Sequence, residues 1–232
     1  MHRRCLNLDP RNRKILPAYV KCMNRVLKGD PAIVYRYLIC LLIFLCYVLV
    51  FFHRLCPAVI ALDIQSSFGI SGTLLGVLGS AYFYAYAIMQ LPTGLMADSW
   101  GPRKTVAVFL ILAAVGSVVM GLAPNLAVAI LGRILVGIGV STVFVCNFKL
   151  LSEWFSPRQF IIMGSAFMSM GGIGALSSSA PLAWVSNVIG WRMTLISVGG
   201  ITLLMACLLY TSPSPRDHLA HRVCRLLLEN GG

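Results

Sequence analysis

Arg54 and Arg133 each lie inside a long apolar run, and no Asp or Glu occurs within any of the six such runs. A guanidinium presents a planar fork of donors that grips two oxygens at once. A pair of them in apolar surroundings is therefore chemistry for holding a carboxylate or a phosphate. His53 directly precedes the first arginine, and an imidazole is a candidate proton carrier near neutral pH, or else a packed neutral side chain. On the second run Tyr82, Tyr86 and Gln90 follow one another at helical spacing and share one face. Together with Asn147 on the fourth run, these hydroxyls and amides suit a sugar-like ligand or hydrogen bonds between helices.

The elements that must position these groups are apolar helices. The chain is 58% hydrophobic and only 11% charged, whereas a soluble domain carries about 25% charged residues, so lipid is its expected solvent. The six runs cover residues 37–62, 74–96, 105–123, 126–148, 160–185 and 193–210. A spanning helix needs roughly 17–25 such residues to cross about 30 Å of hydrocarbon. Strict alternation is absent, which sets aside strands of a membrane barrel. The expected fold class is an all-α membrane protein with six transmembrane helices. Arg54 stands eight residues before the expected outer end at Leu62, and Arg133 seven residues past the start at Leu126. At about 1.5 Å per residue, both lie roughly 10–12 Å below the same surface.

The net charge of +12 would suggest nucleic acid in a soluble protein, but its distribution points elsewhere. Nine basic residues precede the first run; Arg103 and Lys104 follow the second, Lys149 and Arg158 follow the fourth, and the loops after the first and third carry none. Basic residues on every second side mark cytoplasmic loops, so the N-terminus is expected in the cytoplasm. The eight cysteines show no paired spacing and read as packing residues. Residues 1–36 form a basic cytoplasmic segment without the apolar core of a signal peptide. Met23 is an alternative start within it, which leaves 1–22 as an extension.

The turn between the second and third runs reads Gly94-Leu-Met-Ala-Asp98-Ser-Trp-Gly101-Pro-Arg103-Lys104. Arg133-x3-Gly137-x-Gly139 follows on the fourth run, Glu153-Trp-Phe-Ser-Pro-Arg158 after it, and Gly190-Trp191-Arg192 before the sixth. In this order the four motifs resemble the major facilitator superfamily, with Ser99 departing from the basic residue usual after the Asp. The resemblance covers 37–206 and implies the N-terminal six-helix half of a twelve-helix secondary transporter, its C-terminal half missing. It implies a gating role for Gly94, Asp98, Gly101, Arg103, Lys104, Glu153 and Arg158, and a helix-packing role for Gly137 and Gly139. Physically, an acid at Asp98 can accept from Arg103 and from a neighbouring helix N-terminus.

Helices 1 and 4 line the central cavity in this superfamily, so Arg54, Arg133 and their neighbours His53, Tyr82, Tyr86, Gln90 and Asn147 are the expected substrate-binding residues. The placement of Arg54 is similar to the organic-anion symporter and sugar-phosphate permease branch. That branch implies a carboxylate, sugar acid or organophosphate as substrate, a proton as coupling ion, no cofactor, and a bacterial inner membrane. Several of its members carry an acid where this chain has His53. The absence of Gly-Pro-x2-Gly-Gly from the fifth run argues against the drug/proton antiporters. A transporter-derived sensor would keep the same helices. An intramembrane enzyme is disfavoured by the lack of Gly-x-Ser-Gly and His-Glu-x2-His motifs. Finally, Cys207-Leu-Leu-Tyr-Thr-Ser-Pro-Ser-Pro-Arg-Asp217 can be written in the codons of a transposase-type sequencing adapter. Residues 207–232 are thus expected to be adapter-derived rather than a domain, with native sequence ending near Ala206.

Overall fold

The computed structural model describes residues 31–211, which leaves most of the basic N-terminal segment and the tail after Thr211 outside the described residues. Among the described residues eight helices follow one another: α1 (Pro31–Val59), α2 (Ala61–Phe68), α3 (Gly72–Ser99), α4 (Pro102–Gly121), α5 (Leu126–Trp154), α6 (Pro157–Ser177), α7 (Ala180–Ile189) and α8 (Trp191–Thr211). Six of them, α1 from Tyr37, α3, α4, α5, α6 and α8, are long and apolar enough to cross a bilayer. Residues from Cys40 onward belong to one packed unit, and Pro31–Ile39, the first turns of α1, fall in another.

Local chemistry sets the ends. Gly69 closes α2 in the left-handed region at φ 61°, and Gly101 turns the chain at φ 88° before Pro102 opens α4. Asn125 caps α5 by accepting the Val128 N–H at 3.0 Å. The helices also depart from the expected runs. The first run was expected to continue to Leu62, but α1 ends at Val59 and α2 begins at Ala61, although the ladder bonds Ile60 to Cys56 and Ile64 to Ile60 continue across the break. The fifth run was expected to reach 185 as one span, yet α6 stops at Ser177. The hydroxyls of Ser177, Ser178 and Ser179 each bond back to a carbonyl, and Pro181, in the first turn of α7, has no N–H to give. Conversely, α3 and α5 run past their apolar stretches to take in Asp98, Lys149 and Glu153.

Helix α5 packs against α3 and α4, and α4 packs against α8. With no hydrophobic drive between helices in lipid, close backbone approach does the holding. A Cβ on Gly139 would stand 2.5 Å from the Ala113 nitrogen, one on Gly132 2.8 Å from the Gly116 oxygen, and one on Gly137 2.5 Å from the Tyr82 oxygen. Ser117 adds a hydrogen bond to the Leu195 carbonyl of α8 at 2.8 Å. On the other flank α1 and α6 form a pair. A Cβ on Gly174 would meet the Val48 backbone at 3.1 Å, and the Tyr47 and Phe167 rings stack with centroids 4.2 Å apart.

Candidate functional site

A cleft of about 410 Å³ opens between α1, α2 and α3, with Arg133 of α5 at its wall. Three glycines, Gly72, Gly76 and Gly79, line the α3 side, and none has an atom within 4 Å of where a Cβ would stand. Open space replaces side chains along that wall. Leu75, Leu78 and Phe83 supply an apolar lining, Pro57, Ala58 and Ala61 close the α1–α2 side, and Arg54 and Arg133 are the charged members. None of the lining residues is acidic. The two arginines singled out in the sequence therefore meet in one space from different helices.

They are held differently. Arg133 is 3% exposed; its Nη1 donates to the His53 carbonyl at 2.8 Å and its guanidinium lies 4.9 Å from the Tyr82 ring centroid. That carbonyl is available because Pro57, four residues on, has no N–H to donate to it. The Arg133 Nε is buried without a partner. Arg54 is exposed and stands 5.2 Å from the centroid of the Phe83 ring. Neighbouring aromatics of α3 thus back both cations, an attraction worth about 0.5–2 kcal/mol according to exposure.

The remaining expected ligand residues do not line this cleft. The His53 ring is buried and its Nε2 lies 2.8 Å from Thr202 Oγ1 of α8. The Thr202 hydroxyl gives its proton to the Val198 carbonyl, so Nε2 is the donor and the ring faces α8. Asn147 is fully buried and donates to the Ile43 carbonyl at 3.4 Å, well along α5 from Arg133. Tyr82 is 1% exposed and serves Arg133 through its ring, its hydroxyl unpartnered. Tyr86 stacks on it at 6.0 Å, and Gln90 lies half-buried one turn further. Tyr82 and Tyr86 share one face of α3, and at its upper end the Tyr82 ring packs on Arg133 instead of facing the cleft.

At the opposite end of α3, Asp98 pairs with Lys149 of α5, and the same ammonium donates to the Ala97 carbonyl at 3.1 Å. This corrects the expectation that Asp98 would accept from Arg103, whose Nη2 reaches the Leu209 carbonyl of α8 at 3.0 Å instead. Arg103 reaches across to α8, which leaves the end of α3 to Lys149 of the neighbouring α5. Gly94 meets nothing within 4 Å, so close helix approach does not explain it. Gly101 is explained by its positive φ. Lys104, Glu153 and Arg158 are exposed. Lys149 was missed as a member of this cluster because its sequence position spoke only of topology.

The sequence profile of the Major Facilitator Superfamily matches residues 40–223. The chain belongs to the major facilitator superfamily. Among its curated relatives, the probable L-galactonate transporter of Escherichia coli (strain K12) is 30% identical over 179 residues, 77% of this chain and 40% of that protein. The probable sulfoacetate transporter SauU of Cupriavidus necator is 27% identical over 184 residues, 78% of this chain and 42% of that protein. The chain thus spans about two fifths of the length of these relatives. In fold it is similar to the xylose transporter XylE from E. coli in its inward open conformation. The TM-score is 0.69 at 20% identity, covering 84% of this chain and 52% of that one.

Membership in a superfamily of transporters sets aside the intramembrane-enzyme alternative. It also gives the six spanning helices their place as the N-terminal half of the superfamily fold. Other residues also shape this cleft. Phe83 and the Gly72-x3-Gly76-x2-Gly79 series carried a readable signal, namely small residues on one face of a spanning helix. Pro57 carried another, its spacing from His53.

Proposed function

We propose that the complete gene product is a secondary transporter that moves a small organic anion across the membrane by alternating access. Two guanidiniums from different helices line one cleft that has no acidic lining residue, and this observation carries the reading. Charges inside a membrane bundle are costly unless they face water or a partner, and an anion is the partner two arginines fit. The printed names of the relatives, for L-galactonate and for sulfoacetate, support the same class: a carboxylate, sugar acid or related organic acid. Tyr86 and Gln90, below the cleft on α3, are the polar groups for a hydroxylated substrate. Asp98 with Lys149, flanked by Gly94, Gly101, Arg103, Lys104, Glu153 and Arg158, forms the gate at the far end. The driving ion in this reading is a proton and the location a bacterial inner membrane, with the N-terminus in the cytoplasm.

Proteoliposomes holding the purified complete gene product test the activity. An inward proton gradient should drive accumulation of labelled L-galactonate, with competition by sulfoacetate and none by neutral xylose. Binding without uptake would favour a sensor, and absence of both would end the anion reading. Orientation is tested by single cysteines at positions 69, 99 and 125 in a cysteine-free background. Gly69 and Asn125 flank helices at one end and Ser99 ends α3 at the other. In intact cells, an impermeant maleimide is expected to label positions 69 and 125 and to spare 99.

A further inference from the structure

Within a helix, the carbonyl of residue 53 would accept from the N–H of residue 57. Pro57 has none, and its ring pushes that carbonyl off the helix axis. The oxygen so released takes Nη1 of Arg133 at 2.8 Å. The guanidinium carbon lies over the Tyr82 ring, 4.9 Å from its centroid. With Nη1 docked, what remains is the edge formed by Nε and Nη2. Nε is buried with no partner, and no hydrogen bond engages Nη2 among the described residues. Arg133 itself lines the cleft. An unpaired donor on a buried cation is costly, and this edge is the one whose two parallel N–H groups match two oxygens of a single acid group.

Resting on the anion-site reading above, we propose that Pro57 is a positioning residue of that site. By leaving the His53 carbonyl without a helical donor, it docks one end of Arg133 and turns the Nε–Nη2 edge free for the two oxygens of the substrate's acid group. Pro57 also lines the cleft, so its ring fixes the wall beside the edge it orients. The arrangement uses a backbone defect in α1 as the anchor for a side chain of α5. A carboxylate side chain in that place would instead neutralise the cation the substrate needs.

Pro57→Ala supplies the missing N–H, which then competes with Arg133 for the carbonyl. Removing proline from a helix interior favours the helix, so the variant should fold and melt no lower than wild type. Binding of L-galactonate and of sulfoacetate by the purified complete gene product is the readout, taken by isothermal titration. The expected result is a dissociation constant raised about tenfold by Pro57→Ala, and likewise by Pro57→Leu, which also restores the N–H. In an Arg133→Lys background, neither substitution should weaken binding further, because the edge it orients is gone. A purely structural role for Pro57 would add its penalty in both backgrounds. Wild-type affinity in Pro57→Ala, or full additivity with Arg133→Lys, overturns the proposal and leaves the anion site standing. Should wild type bind neither acid, or should Arg54→Gln and Arg133→Lys both bind as wild type, the anion site falls, and the proposal with it.

Discussion

Arg54→Gln in the complete gene product is expected to abolish uptake of an organic anion while leaving expression and melting temperature unchanged. Arg54 is exposed to the cleft and its side chain rests on Phe83, so no buried partner is orphaned when it is cut. Arg54→Lys keeps the charge but loses the two-pronged geometry. A hydrogen bond to a charged group is worth about 1.5–3 kcal/mol, which corresponds to roughly ten- to a hundredfold in affinity. The lysine variant should fall in that range and the glutamine variant below it. Arg133 gives a less clean test. Its removal also strands the His53 carbonyl and uncovers the Tyr82 ring, so a loss there mixes binding with folding. If the two arginines grip one acid group, their losses should be less than additive in the double variant. Wild-type uptake in both single variants would make the positive cleft a structural feature and reopen the substrate class.

Substituting Gly139 should produce the second large effect, on folding rather than binding. A Cβ there would stand 2.5 Å from the Ala113 nitrogen and 2.6 Å from both its Cβ and the Phe109 oxygen. No flexible side-chain end is available to move aside. Overpacking of this kind costs about 1–3 kcal/mol, and Gly139→Leu exceeds what the α4–α5 interface can absorb. Gly139→Ala is expected to lower the melting temperature in detergent, and Gly139→Leu to leave no monodisperse peak on gel filtration. Gly94→Ala supplies the contrast. It belongs to the signature turn, yet nothing lies within 4 Å of the new methyl, so the fold should be unchanged. An unaltered melting temperature for Gly139→Leu would mean that the close approach of α4 and α5 is wrong.

The distribution of apolar runs made six helices legible, because hydropathy over about 20 residues is what a bilayer selects. It could not show where a helix breaks inside an apolar run. The serine hydroxyl bonds at 177–179 and the interruption at Ile60 are local backbone events to which hydropathy is blind. Arg54 and Arg133 were legible as a pair because charge in an apolar run is conspicuous. Their surroundings were not. The acceptor for Arg133 is a main-chain oxygen, and nothing in the identity of His53 announces it. Its side chain invited a role in the cleft, whereas burial against Thr202 turned it away. Likewise, Asp98 found Lys149 rather than Arg103, since two helix ends brought together in space outrank residues close in sequence.

Two hydrogen bonds run from α5 to α1, from Asn147 to Ile43 and from Arg133 to His53, and each ends on a carbonyl oxygen. Every residue type carries that oxygen, so exchanging the side chain at 43 or 53 leaves the acceptor in place. Position 53 therefore holds two separable parts: a main-chain anchor that no amino-acid change can delete, and a buried side chain that answers to Thr202 of α8. The anchor is guarded at position 57, where an N–H would compete for the oxygen, rather than at 53.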